Sequence, residues 1–148
     1  WSSDVCSSDL NPTNAFADDA SFASNINNLG DRHRFYNYGI SIPAGCAIAG
    51  IEVRLDAWAD SILKNPFMCV ELSWDGGATW TATNTTPVLG TAEATFIIGG
   101  EADDWGRTWS NTEFSNANFR LRITNVANAT SRDFFLDWVP VKVDYTPP

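Results

Sequence analysis

The sequence predicts an all-β protein, a two-sheet antiparallel β-sandwich of jelly-roll-like type with at most one short helical turn. Three observations predict it. Apolar residues recur at every second position in several separated runs. Clusters of Pro, Gly, Asn and Asp stand between the runs. No stretch of roughly ten or more residues carries a helical period. About eight to ten short strands with turns between them fit a sandwich or jelly roll.

The strongest run is Ile51, Val53, Leu55 and Ala57, alternating with Glu52, Arg54, Asp56 and Trp58. Such alternation puts one face of a strand in the core and the other toward water. Met68, Val70, Leu72 and Trp74 repeat the pattern, as do Phe119, Leu121 and Ile123. A closing strand follows from Val139, Val141, Val143 and Tyr145, with Pro140 marking an edge position or a bulge because it cannot donate to a ladder. Weaker strands are expected over Ala15–Ser24, Arg34–Ile42, Trp80–Thr83 and Ala94–Ile98. The one helical turn is expected at Ser110–Ser115, where Ser110 and Glu113 have capping-box spacing. The inward set is then Val53, Leu55, Val70, Leu72, Leu121, Ile123, Val141 and Val143.

A chain of 148 residues suits one domain. Its 44% hydrophobic and 13% aromatic content is globular rather than disordered. The formal net charge of −9 comes with no basic block, so nucleic acid is not an expected partner. No apolar run approaches the roughly 20 residues of a membrane-spanning helix, so membrane insertion is not expected. An acidic surface of this kind suits a divalent cation. Residues 1–10, WSSDVCSSDL, resemble the translation of a sequencing adapter. They are read as a non-native segment with few contacts to the rest. Residues 11–146 then form the domain, and 147–148 begin a Pro-rich linker.

Ser73-Trp74-Asp75-Gly76-Gly77-Ala78-Thr79-Trp80 resembles the Asp-box, a motif repeated around the propeller of sialidases. A propeller needs repeated blades, and this chain holds one copy. The local reading is a hairpin: Gly accepts positive φ, the Asp75 carboxylate accepts loop N–H groups, and Trp74 and Trp80 anchor the two sides.

No catalytic constellation emerges, and the chain is not expected to be an enzyme. His33, the one histidine, has charged neighbours and reads as a surface residue. Cys46 and Cys69 could pair, but free, buried thiols are the favoured reading. A glycoside hydrolase would need two placed carboxylates, and no acidic pair stands out by position.

Glycan binding has two candidate surfaces. Trp58 lies on the polar face of its strand. Asp104, Trp105, Arg107 and Trp109 form an aromatic loop with polar fingers, although a plug at the end of the sandwich is the favoured reading of the two tryptophans. For a metal, Asp18 and Asp19 on the first strand and Asp137 near the last would meet if those strands are neighbours, and a hard cation would relieve their repulsion. Leu136–Val139 is similar to the closing strand of calcium-stapled carbohydrate-binding modules, a resemblance implying that Asp137 ligates a structural calcium.

Ile42-Pro43-Ala44-Gly45, Ile48–Val53, Asp104–Trp109, Asn118–Leu121 and Val141–Thr146 recur in this order in a module that the chain resembles. That β-sandwich module is found in phage virion-associated proteins and in large secreted or surface proteins of bacteria, with no assigned reaction. The resemblance implies a non-catalytic structural or adhesion module in a larger extracellular, cell-surface or virion protein. Its partners would be other domains of the same chain or neighbouring surface proteins. The alternative is a carbohydrate-binding module, calcium-stabilised and appended to a polysaccharide-active enzyme.

Overall fold

The structure, a computed structural model, describes residues 2–4, 9–26, 30–128 and 131–148. Its described strands are β1 (Ser2–Asp4), β2 (Asp9–Leu10), β3 (Ala23–Asn25), β4 (Arg32–Tyr36), β5 (Ala47–Ala59), β6 (Phe67–Ser73), β7 (Asn84–Thr85), β8 (Ala94–Gly100), β9 (Arg120–Val126), β10 (Phe134–Trp138) and β11 (Val141–Thr146). The first sheet runs β1-β4-β9-β6-β7. The second is built on β5: β8 pairs along one side, β10 and then β11 along the other, with β3 and β2 beyond β10. Every described pairing is antiparallel. From β3 to β6 the chain changes sheet at each step, as a jelly roll does.

The alternating runs form the core. Val53, Leu55, Val70, Leu72 and Leu121 are 0% exposed, and Ile123 is 3% exposed. Val141 and Val143 are only half-buried, because β11 is an edge strand with no described strand beyond it. Val139, 0% exposed, takes the core position instead, at the step where Pro140 separates β10 from β11. Pro140 lies in the break between the two strands, so the closing strand begins at Val141, and the register irregularities fall at Leu136/Trp138 and Asp144/Tyr145 instead.

The weaker strands shift. Ala15–Ser24 is mostly not a strand: a 3-10 turn covers Pro12–Ala15 and bends follow before β3. Trp80–Thr83 gives way to the short β7. His33 is buried, not on the surface. The alternation of β4 turns His33 inward with Phe35, and the two rings stack 4.6 Å apart. Cys46 and Cys69 are free thiols, half-buried rather than fully enclosed.

Residues expected to make few contacts are drawn into both sheets. Ser2–Asp4 pairs with β4 and Asp9–Leu10 with β3. An open sheet edge offers unpaired N–H and C=O groups to any extended segment, whatever its side chains. Trp1 and Cys6 lie outside the described residues.

Asn111–Phe114 forms the expected helical turn, and the Ser110 N–H donates to Glu113 Oε2 at 2.7 Å. Gly99, in the Gly99-Gly100 pair that ends β8, occupies a position that requires glycine. Its φ is +80°, and a Cβ there would stand 2.3 Å from the Ile51 carbonyl oxygen. Gly99→Ala is expected to destabilise by more than about 1 kcal/mol, read as a lower denaturant midpoint at unchanged slope.

Candidate functional site on the outer face of the second sheet

The residues of β5 that point away from the core meet aromatic partners on β10. In the antiparallel register Trp58 stands opposite Phe135, and their rings stack 5.3 Å apart. Phe22, just before β3, closes against both rings edge-on, at 4.9 Å to Trp58 and 5.5 Å to Phe135. Phe22 is 39% exposed, while Trp58 and Phe135 are half-buried. The three rings form an aromatic ledge open to solvent on one side.

The polar part of this face begins two residues along β5. Arg54 donates to both carboxylate oxygens of Asp56, at 3.0 and 2.7 Å, a bidentate pair. Its guanidinium lies over the Trp138 ring at 4.6 Å. Thr95 on β8 donates to the same Asp56 at 2.6 Å. Asp56 is 1% exposed, and these partners compensate its burial.

Beside them, oxygens of Asp18, Glu93 and Asp137 lie within 4.8 Å of one another. Asp18 comes from the bend before β3, Glu93 from the residue preceding β8, and Asp137 from the irregular step in β10. Asp137 is 1% exposed. Its Oδ2 accepts the Ala20 N–H at 3.3 Å, whereas its Oδ1 is buried with no hydrogen-bond partner. Burial, opposed in part by the Ala20 and Asp19 N–H groups, raises the Asp137 carboxyl above its ordinary range, and the Asp18 and Asp19 charges add to the rise. Glu93 is raised as well, by desolvation first and then by Asp137 and its other acidic neighbours. Arg54 reaches Asp18 at 3.5 Å and also opposes the rise at Glu93 without cancelling it.

The expected metal set is therefore changed in one member. Asp18 and Asp137 meet, because the bend that carries Asp18 leads into β3 and β3 pairs with β10; Asp18 is not on a strand as expected, and β3 and β10 are not the first and last strands. Asp19 does not join them: its carboxylate accepts the Ser21 N–H at 3.0 Å. Glu93 takes the third place. No local pattern marks it, since only the pairing of Ala94 with Ala57 brings it to this face.

The other expected glycan surface is closed. Trp105 is 4% and Trp109 5% exposed. Trp105 Nε1 donates to the Ile51 carbonyl at 2.9 Å, and Trp109 Nε1 to the Asp104 carbonyl at 2.8 Å. Arg107 lies over Trp74 at 3.9 Å and over Trp109 at 4.4 Å, while its guanidinium pairs with Glu113 at 2.8 Å. Asp104 is exposed, but its Oδ1 accepts the Gly106 N–H at 2.8 Å. The loop is a plug, because its tryptophan faces are spent on packing and its arginine on an ion pair. The hairpin next to it is locked as its sequence suggests. Asp75 Oδ1 accepts the Thr79 N–H at 2.8 Å and the Ser73 hydroxyl at 2.9 Å, which holds the carboxyl down at about 2.

No family model matches the chain, and no curated protein matches it. Solved structures do. A CBM4 structure is 13% identical with a TM-score of 0.50, the match covering 83% of this chain and 82% of that one. The CBM22-1–GH10 modules of xylanase 10B from Clostridium thermocellum, complexed with xylohexaose, are 15% identical with a TM-score of 0.50, covering 86% of this chain. The match spans 22% of that longer chain. At these identities the likeness is one of fold: the chain shares the β-sandwich of carbohydrate-binding modules. No described helix is long and apolar enough to cross a membrane.

Proposed function

We propose that the chain is a non-catalytic carbohydrate-binding module that works as part of a larger extracellular protein. The sequence put a structural or adhesive role first and a glycan binder second; the likeness to CBM4 and CBM22 sandwiches supports the second. The observation that carries the reading is the aromatic ledge of Trp58, Phe135 and Phe22 on the outer face of the second sheet. A sugar ring has apolar C–H faces, and flat aromatic rings supply large contact area with few rotatable bonds to freeze. One of the similar structures holds xylohexaose, so β-linked plant cell-wall chains are the first probes to try.

The test is affinity electrophoresis against a panel of soluble polysaccharides, followed by titration calorimetry on any that retard the protein. Trp58→Ala is expected to weaken binding about ten-fold or more, equivalent to about 1.4 kcal/mol. Retardation by no polysaccharide would return the chain to the structural or adhesive reading.

A structural cation belongs to the same proposal. Asp18, Glu93 and Asp137 offer hard carboxylate oxygens of the kind calcium takes, and the buried Asp137 Oδ1 has no protein donor to satisfy it. Such an ion would tie the approach to β3, the start of β8 and the step in β10 together, setting the floor beside the aromatic ledge.

A further inference from the structure

The edges of the two sheets differ in how well they are closed to a further strand. An edge strand offers unpaired N–H and C=O groups, and short length, charge or proline ordinarily blunts it. Most of the described edges follow that rule. β1 has 3 residues, β2 and β7 have 2 each, and β11 carries Lys142 and Asp144. β8 does not. It is the edge strand on the other side of β5 and is 7 residues long. Its sequence, Ala94-Thr95-Phe96-Ile97-Ile98-Gly99-Gly100, holds neither charge nor proline, and Ile97 is 50% exposed.

The register shows which backbone groups of β8 face outward. Along β5 the Ile51 and Ala59 N–H groups donate on the β8 side, to the Asp103 and Gly90 carbonyls, whereas the Arg54 N–H donates to Pro140 on the opposite side. Odd-numbered residues of β5 therefore bond toward β8. Their partners there are Phe96, opposite Leu55, and Ile98, opposite Val53. Thr95 and Ile97 turn their N–H and C=O groups the other way, where no described residue bonds to them. Their side chains lie on the outer face: the Thr95 hydroxyl donates to Asp56, and Ile97 stands opposite Arg54. Phe96 is half-buried on the inner face.

We propose that β8 pairs antiparallel with β8 of a second copy of this chain, joining the two second sheets edge to edge. The two-fold axis passes at Phe96. Phe96 then faces the partner's Phe96, and Thr95 exchanges backbone bonds with the partner's Ile97, as Ile97 does with the partner's Thr95. The strand is complementary to itself in this register. The outward groups of Thr95 and Ile97 all find partners, and no like charges stand opposite one another. Glu93 falls opposite the partner's Gly99, which has no side chain, and Glu101 opposite the partner's Thr91. In a chain of net charge −9, this uncharged strand lets two copies meet without setting acid against acid. A strand of another protein with basic ends would suit Glu93 and Glu101, but its charges would meet nothing along the seven residues between them. The pairing also places the Trp58 ledges of both copies on one continuous face, where a single polysaccharide chain can engage both. That consequence rests on the glycan-binding reading; the dimer does not.

The experiment is sedimentation equilibrium of the full chain up to about 1 mM, a concentration at which an interface of small area is still populated. It is run at low salt and at roughly 0.3 M salt. A monomer–dimer equilibrium is expected, and added salt is expected to strengthen it, because it screens the repulsion of two acidic chains and leaves an uncharged strand untouched. Ile97→Pro removes an outward N–H that makes no bond within the chain, and Ile97→Lys puts a charge on the edge. Each is expected to weaken the dimer about ten-fold or more, an effect of about 1.4 kcal/mol. Tyr145→Lys, at an exposed position on the β11 edge, is expected to leave the dimer unchanged. A monomer at every concentration and salt overturns the proposal, and that outcome needs no variant to fold. A dimer that Ile97→Lys leaves intact, or that Tyr145→Lys dissolves, also overturns it. So does a dimer that salt weakens, or a mass that grows beyond the dimer. A dimer that binds no polysaccharide leaves this inference standing and refutes the glycan reading; a monomer that binds glycan does the reverse.

Discussion

Replacing Leu55 or Leu121 by Ala is expected to cost about 2–5 kcal/mol of stability, among the largest effects available to a single substitution in this chain. Both side chains are 0% exposed, on β5 and β9, the central strands of the two facing sheets. Each sits among residues equally closed to water: Val53 and Ala57 beside Leu55, Ile123 and Leu72 beside Leu121. A cavity at the meeting of two sheets collapses poorly, since each strand is held by ladders on both sides. For a domain of this size the loss corresponds to a melting temperature roughly 4–20 °C lower. Val143→Ala, at a half-buried edge position, should cost clearly less. Chemical denaturation of the three variants checks the order; equal costs at Leu55 and Val143 would contradict the layered core described above.

The same alternation that makes Leu55 a safe core assignment explains what could not be read in advance. On β5 the two faces differ in chemistry, with Val53, Leu55 and Ala57 inward against Arg54 and Asp56, so a period of two is plain. On β10 both faces are apolar. Phe134 and Leu136 point inward, Phe135 and Trp138 belong to the outer aromatic surface, and the period vanishes. The strand was hidden by the feature that makes it a candidate site. His33 misled for the converse reason: Arg32 and Arg34 beside it suggested water, yet adjacent residues of a strand face opposite ways. Trp105 and Trp109 could be read as ledge or plug because an aromatic residue serves both ends. Only the bonds from their indole N–H groups to Ile51 and Asp104 decide for the plug. Glu93 was beyond reach, because its role depends on β8 lying along β5 in one register, a pairing made across a long connection.

Calcium is expected to raise the melting temperature, and chelator to lower it, through Asp18, Glu93 and Asp137. An ion bound only by the folded chain adds about 2.7 kcal/mol at a hundred-fold excess over its dissociation constant, or roughly 5–10 °C for a domain of this size. Asp137→Asn is expected to abolish the difference between calcium and chelator, since Asp137 supplies the buried Oδ1 that no protein group satisfies. In chelator the same variant is expected to be at least as stable as the wild type, because it removes one of several crowded like charges. Asp19→Asn separates this site from a general effect of surface acids. The Asp19 carboxylate is bonded to the Ser21 N–H and lies outside the cluster, so that variant should keep the full calcium response. Acidity gives an independent reading. Glu93 and Asp137 are both raised above their ordinary range, so without calcium the native state holds protons at pH values where the unfolded chain has released them. Stability in chelator should therefore fall as pH rises through that window and recover as pH drops toward the ordinary carboxylate range. With calcium present the slope reverses, because protons and the ion compete for the same oxygens. Equal midpoints in calcium and chelator for the wild type, at neutral pH, would remove the ion from this fold and leave Arg54 as the cation that, among the described residues, pairs with the acidic cluster.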